Sequence, residues 1–452
     1  MREPGYHHET PRLRDWRLGL SRPALLLVAA LAMVALVAAA CGDDDETAPA
    51  APEAPSAQTL DTGDAAPVSE GPLRIGFLAD FSGPIAEFGP PIQTGVDLAI
   101  KHINAGGGVL GQDVILAATG DTMLDPVQGA EEARRLIDIE GVHAIVGPLA
   151  SDVTVPVGES VIGPAGIPTI SPSATAPAIT VVNDNGFLFR STTSDAAQGP
   201  VLAQLAMDEG FDNVGVLFVN DPYGQGLSEA FVEAFEGRAT PASYEGEQAT
   251  YLAELQAAAA NGARVLVAIG FPTEAMVYIR EALESDLFDQ FLFVDGTRSQ
   301  ELIDAIGAEF LNGSKGTAPT GGPGTASSQA WEAAYIAEYG ALPTVPFVAE
   351  TYDAAICLAL AVEAAGSTDG VAIRDALPQV CGGGGEVATA GAEGVAAALA
   401  AVRAGNTINY EGAATSVDWD ANGDVLTGFI GIWQYQDGTI VDLREVPFDL
   451  SN

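Results

Sequence analysis

Basic side chains are scarce in this sequence, with 18 Lys and Arg against 61 Asp and Glu for a net charge of −43 at pH 7. A surface that acidic excludes nucleic acid as a partner, because phosphate binding rests on clustered cations. It suits solubility at high ionic strength. Histidine is nearly missing as well: of 4 His, His7 and His8 lie close to the start, leaving His102 and His143. Neither sits in a ligand-like cluster, which leaves no support for a metal site or a His-based catalytic triad. With only 3 Cys there is no disulfide framework. No nucleophile–base pairing is legible anywhere, so an enzyme is disfavoured.

What is present begins with an export pattern. Arg12, Arg14, Arg17 and Arg22 precede an unbroken apolar run over 24–40, and Ala38, Ala39 and Ala40 lead into Cys41. Small residues before a Cys resemble the bacterial lipobox, with Ala38 where Leu is usual; on this reading 1–40 is a lipoprotein signal peptide and Cys41 carries lipid. The alternative is an uncleaved membrane anchor, for which the run is barely long enough. Residues 41–71, acidic and then rich in Ala and Pro, cannot bury a core and read as a flexible spacer. Either way the folded part is expected outside the cytoplasm, tethered to a membrane. In an oxidising compartment the remaining Cys357 and Cys381 are expected to bond to each other.

From residue 73 the chain alternates apolar strand patterns with helical ones. Strands are expected at 73–79, 114–118, 143–146 and 167–170, with helices between them. The alternation restarts near residue 199, with strands at 214–219, 265–269 and 291–294. Such alternation means parallel, doubly wound sheets in two lobes. The expected division is 72–193 with 324–416 for one lobe and 194–323 with 417–452 for the other. The end, 416–420 and 428–435 joined by Asp-Ala-Asn-Gly-Asp, reads as an antiparallel hairpin.

The stretch 142–180 is the most informative. Two short apolar runs each end in a loop rich in Gly, Pro, Ser and Thr, with helically spaced Val153, Val157, Val161 and Ile162 between them. Such a βαβ unit sets its two loops side by side at the carboxyl edge of a sheet, where open α/β sheets bind ligands. Ser151, Ser173 and Thr175 offer hydroxyls there, and free N–H groups at a helix start favour an anion such as a carboxylate. The same stretch also reads as two αβ turns with Ser and Thr capping helices. Two other motifs dissolve on inspection. Gly106, Gly108 and Gly111 match a dinucleotide fingerprint, but a helix precedes them and a strand follows, so they end the helix. Asp418, Asp420, Asn422 and Asp424 start like a calcium loop, yet Phe429 stands at the twelfth position where Glu is required, which leaves a turn.

The order and spacing of FSGPIAEFG, INAGGG, IVGPLAS, ISPSAT, the Asp195/Gln198/Gly199 group, DPYGQGL, ETYDA and YEG…DWDANGD resemble the branched-chain amino-acid-binding proteins of ABC importers, in the type I periplasmic binding protein family. The resemblance spans nearly all of 73–450. It implies two α/β lobes joined by a multi-strand hinge that closes on a ligand, with no cofactor. It further implies that Ser151, Ser173 with Ala174, and Thr175 receive the amino acid's carboxylate. Tyr223 corresponds to a lid aromatic, and Phe271 stands where Tyr is common. Asp295 stands where an acid, commonly Glu, meets the ammonium. Phe88, Leu149, Ala150 and Phe347 correspond to the side-chain pocket. The expected function is an extracytoplasmic binding lipoprotein, a monomer that delivers a small amino acid or related carboxylate or amide to a membrane permease. The competing expectation is a ligand-sensing receptor of the same fold for amides, urea-like or aromatic ligands.

Overall fold

The computed structural model describes residues 71–451 apart from Pro323. The export pattern, Cys41 and all of the spacer except Gly71 lie outside the described residues.

The first lobe opens with β1 (Arg74–Ala79), α1 (Gly89–Ala105), β2 (Ile115–Asp121), α2 (Pro126–Asp138) and β3 (Ala144–Val146). Next come α3 (Ser151–Val157), which runs through a π-helical turn into α4 (Gly163–Ala165), then β4 (Thr169–Ser171) and β5 (Leu188–Arg190). Local chemistry explains the helix ends. Pro90 and Pro91 start α1, where the missing N–H groups have no intrahelical partner to lose. Ile92, Val96, Ala99 and Ile103 recur on its buried face, and Gly106 closes it. Asp125 caps α2, accepting from the N–H groups of Val127 (2.7 Å) and Gln128 (2.9 Å). The five strands form one parallel sheet in the order β2-β1-β3-β4-β5. Apart from the half-buried Arg74, every residue of β1, β3, β4 and β5 is buried, as expected of a parallel sheet covered on both faces.

The second lobe contains α5 (Asp195–Asp208), β6 (Asn213–Val219), α6 (Pro222–Ala234), β7 (Arg238–Tyr244), α7 (Leu252–Ala258), β8 (Val265–Ile269) and α8 (Pro272–Glu284). It continues through β9 (Gln290–Phe293), α9 (Gln300–Ile306), α10 (Ala308–Leu311) and β10 (Lys315–Thr320). The chain then returns to the first lobe for α11 (Ala326–Tyr339), α12 (Val348–Ala365), α13 (Gly370–Cys381), β11 (Glu386–Thr389), α14 (Gly391–Arg403) and β12 (Ile408–Glu411). It ends in β13 (Thr427–Gln436) and β14 (Thr439–Asp449). The second sheet has seven strands in the order β14-β13-β10-β9-β8-β6-β7, with β14 and β7 at its edges. Its core is parallel, while β13 runs antiparallel to β10 and β14 antiparallel to β13. The fold is therefore α/β with two parallel-sheet lobes, and the chain passes between the sheets three times: after β5, after β10 and after β12.

The tail departs from the sequence reading. The antiparallel hairpin joins β13 to β14, whereas the 416–420 segment contributes only an isolated bridge from Trp419 to Val425. The Asp-Gly pair that makes the turn is Asp437-Gly438, both at positive φ. Asp420 instead folds its loop on itself, accepting from the N–H groups of Asn422 (2.8 Å) and Asp424 (3.0 Å). Helix α12 is buried along nearly its whole length and packs on α1, α13 and α14. Cys357 on α12 and Cys381 at the end of α13 are disulfide-bonded, with Cα atoms 6.3 Å apart and a sequence separation of 24.

Candidate functional site

Both sheets turn their carboxyl ends toward one cleft, whose floor is a small cavity. Gly147 (φ 111°) ends β3, where a Cβ would collide with the Leu78 carbonyl. The turn it permits brings Leu149, Ala150 and Ser151 to the cavity wall. The loop after β4 is tied to this one by side chains. Ser171 Oγ donates to the Pro148 carbonyl (2.6 Å), and Ser173 Oγ donates to the Leu149 carbonyl (2.8 Å). Ser151 Oγ accepts from the Ala176 N–H (3.2 Å), which leaves its own proton free. Behind the loop, the buried Arg190 donates to the carbonyls of Thr175 (3.1 Å) and Ala176 (3.0 Å) and pairs with Asp424 (2.6 Å). Phe88 arrives from the loop after β1, which is shaped by Asp121 accepting from Phe81 N–H (2.9 Å) and Ser82 Oγ (2.7 Å).

The second lobe supplies the opposite wall. Tyr223 follows β6 in the first turn of α6, where Asp221 caps the helix through Gly224 N–H (2.7 Å). Its ring stacks on Phe271, 5.4 Å between centroids, and its hydroxyl donates to Asp295 Oδ1 (3.0 Å). Gln198 Nε2 donates to the same oxygen (2.7 Å). Asp295 is almost completely buried, and that burial pushes its carboxyl up to about 6 against the pull of Gln198 and Tyr223. Beside it stands Asp195, fully buried, with neither carboxyl oxygen hydrogen-bonded. Burial first, then the charge of Asp295, push Asp195 well above the usual carboxylate range, while the charge of Arg190 pulls it down. A Thr273 Oγ1 bond to the Pro84 carbonyl (2.8 Å) joins the two lobes across the cleft.

Of the residues singled out from sequence, Phe88, Leu149, Ala150, Ser151, Ser173, Tyr223, Phe271, Asp295 and Phe347 line this one cavity. Ala174 and Thr175 do not; both are buried, and Thr175 Oγ1 has no hydrogen-bond partner. Two side chains hold Asp295, and it does not cap the following helix: Ser299 does that, accepting from Leu302 N–H (3.0 Å). Ser173 spends its hydroxyl proton on the neighbouring loop. The sequence reading missed Ile85 and Ile92 as walls and did not single out Asp195 as a site residue. Its signal was Asp195 and Gln198 three apart on one helix face, a pair placed to act together. Among the described residues, no three His, Cys, Asp or Glu side chains gather as metal ligands.

A cleft between two α/β lobes, with an acid-lined wall facing looped helix starts, defines a ligand-clasping binding protein. The profile of the periplasmic binding protein family matches residues 72–381, and the chain belongs to that family. A chemotactic signal transduction system substrate-binding protein of Halobacterium salinarum is 31% identical over 385 residues, covering 83% of this chain and 89% of its own. A Leu/Ile/Val-binding protein homolog of Brucella suis is 31% identical over 317 residues, covering 68% and 82%. Among solved structures, the leucine-binding protein LivK of Thermotoga maritima superposes with a TM-score of 0.70 at 23% identity, covering 83% of this chain and 98% of that one. A Rhodopseudomonas palustris solute-binding protein in complex with benzoate gives 0.65 at 19% identity, covering 84% and 98%.

Proposed function

We propose that this chain closes on a small amino acid with an aliphatic side chain and delivers it to an ABC importer. The observation that carries the reading is the buried carboxyl group of Asp295 on one wall of a largely apolar cavity, with Asp195 buried behind that wall. An acid held out of water and pushed toward neutrality is a site that a ligand ammonium restores to the charged state, through strong charge-assisted bonds. The opposite wall supplies what a carboxylate needs: the free Ser151 hydroxyl and the unbonded N–H groups where α3 begins. Ile85, Phe88, Ile92, Leu149 and Phe347 provide apolar contact for the side chain. In this reading Ser151, Ser173, Ala174 and Thr175 form the carboxylate side, directly or by holding the loop. Tyr223 and Phe271 form the lid, and 72–193 with 324–416 moves against 194–323 with 417–452. The chain is a monomer, anchored outside the cytoplasm through lipid on Cys41.

A thermal-shift screen of amino acids, amides and aromatic acids tests the ligand class. At a hundred times its Kd a ligand adds about 2.7 kcal/mol, and an aliphatic amino acid should give the largest shift. A best ligand that is purely cationic, polyanionic or lacks an amine would overturn the zwitterion reading. The chemotactic relative favours a second reading, in which the closed form is read by a signalling partner instead of a permease. Ligand uptake by vesicles carrying the candidate permease and this protein separates the two: the importer reading requires uptake that depends on the protein.

A further inference from the structure

A second, partly open cavity lies beside the segment that leaves β10 for α11. It shares only Phe347 with the ligand cleft. Its walls come from α11, from the start of α12, and from Arg298 and β14 of the second lobe. Two of its lining side chains are buried and lack a partner. Trp331 is only 7% exposed, and its Nε1–H has no hydrogen-bond acceptor. Glu350 is only 3% exposed and makes no ion pair among the described residues. Its neighbours in the ETYDA segment are committed elsewhere: Tyr352 hydroxyl meets His102 Nδ1 (2.8 Å), and Asp353 accepts from Tyr410 (2.8 Å) and Ala413 N–H (2.8 Å). The one cation in the lining, Arg298, is spent on Asp442 (2.7 Å), while Glu332 and Glu445 add further negative charge.

A buried donor without an acceptor and a buried acid without a cation, facing one polar space, specify complementary groups on an occupant. We propose that this cavity is a second ligand site, for a small organic amine whose ammonium pairs with Glu350. The acceptor for Trp331 Nε1–H comes from the same molecule or a water it carries. The proposal stands apart from the assignment of the amino-acid cleft. Burial, with the charge of Asp353, pushes the Glu350 carboxyl up to about 8 against the pull of its own backbone N–H and of Arg298. An arriving ammonium must draw that carboxyl into its ionised form. Arg298 repels the amine, while Glu332, Asp442, Glu445 and Asp353 attract it. Binding should therefore tighten as pH rises from about 6 to about 9.

The test is calorimetry of the full chain with 1,4-diaminobutane, chosen because a second ammonium can reach Glu332 or Glu445. The expected result is saturable binding of one diamine per chain, weakened at least about tenfold in Glu350→Gln, which loses roughly 1.4 kcal/mol or more. Trp331→Phe keeps an aromatic ring and removes the donor, and should weaken binding severalfold. It decides the matter if Glu350→Gln fails to fold by circular dichroism. No saturable heat at millimolar diamine overturns the proposal. So does binding of several diamines per chain that survives both substitutions and vanishes with salt, which is counterion attraction to an acidic surface. Binding of acetate in place of the amine, lost in Trp331→Phe, overturns the cation assignment.

Discussion

Replacing Asp295 by Asn isolates charge from shape. Asp295 Oδ1 accepts from Gln198 (2.7 Å) and Tyr223 (3.0 Å), and an amide oxygen accepts the same two bonds. The wall should therefore keep its geometry and lose only the charge facing the ligand ammonium. A hydrogen bond to a charged group contributes about 1.5–3 kcal/mol, so affinity for an amino acid should fall roughly tenfold to a hundredfold. Stability should move the other way. The folded protein holds a proton on Asp295 up to about pH 6, whereas the unfolded chain releases it near the ordinary value of 3.8. The native state binds more protons across that window, so unliganded stability falls as pH rises from about 4 to about 6. Asn removes this loss, and the unliganded variant at pH 8 should melt no lower than the wild type. Calorimetric titration with the amino acid found in the screen, and melting curves from pH 4 to 8, measure both. Unchanged affinity would refute the ammonium role, and a lower melting temperature at pH 8 would refute the account of buried charge.

Asp424→Asn should cost about 3–5 kcal/mol, because Arg190 is left buried without its carboxylate, and ligand affinity should fall with it as the loop carbonyls lose their anchor; denaturant melts and calorimetry together check this. Reducing the Cys357–Cys381 bond should lower stability by about 3 kcal/mol, the loop-closure entropy of a 24-residue separation, and the loss should appear in urea midpoints with and without reductant. With a net charge of −43, the chain repels itself; raising salt from low ionic strength should raise the melting temperature, and a fall would contradict that repulsion.

Parallel strands were legible because burial on both faces writes an unbroken apolar run, as in β1 and β8. The polar loops at their carboxyl ends were legible for the same reason, since each run stops abruptly. Less visible was β7, whose RATPASY carries Pro and alternates exposure at the sheet edge. The hairpin was misplaced because Asp-Ala-Asn-Gly-Asp has turn chemistry but pairs only one residue across it. Tyr223, Phe271 and Asp295 were singled out through the family resemblance, each just past a strand, whereas the Asp195–Asp295 neighbourhood joins residues a hundred positions apart. No local pattern encodes that proximity; it arises from the crossover that lays α5 against the second sheet.

The order of the seven-stranded sheet has a consequence for crowding. Each outer strand presents a row of unsatisfied peptide groups on which another chain could add. At one border, β7 has Pro241 at its centre, which removes a donor and interrupts that row. At the other, β14 bears Asp442, Arg444 and Glu445 along its middle and Pro447 beyond them, and its pairing with β13 slips by one residue near Ile432. Charge, imino ring and irregular register all discourage the stacking of one copy on the next. The chain can thus keep both borders open to solvent without polymerising.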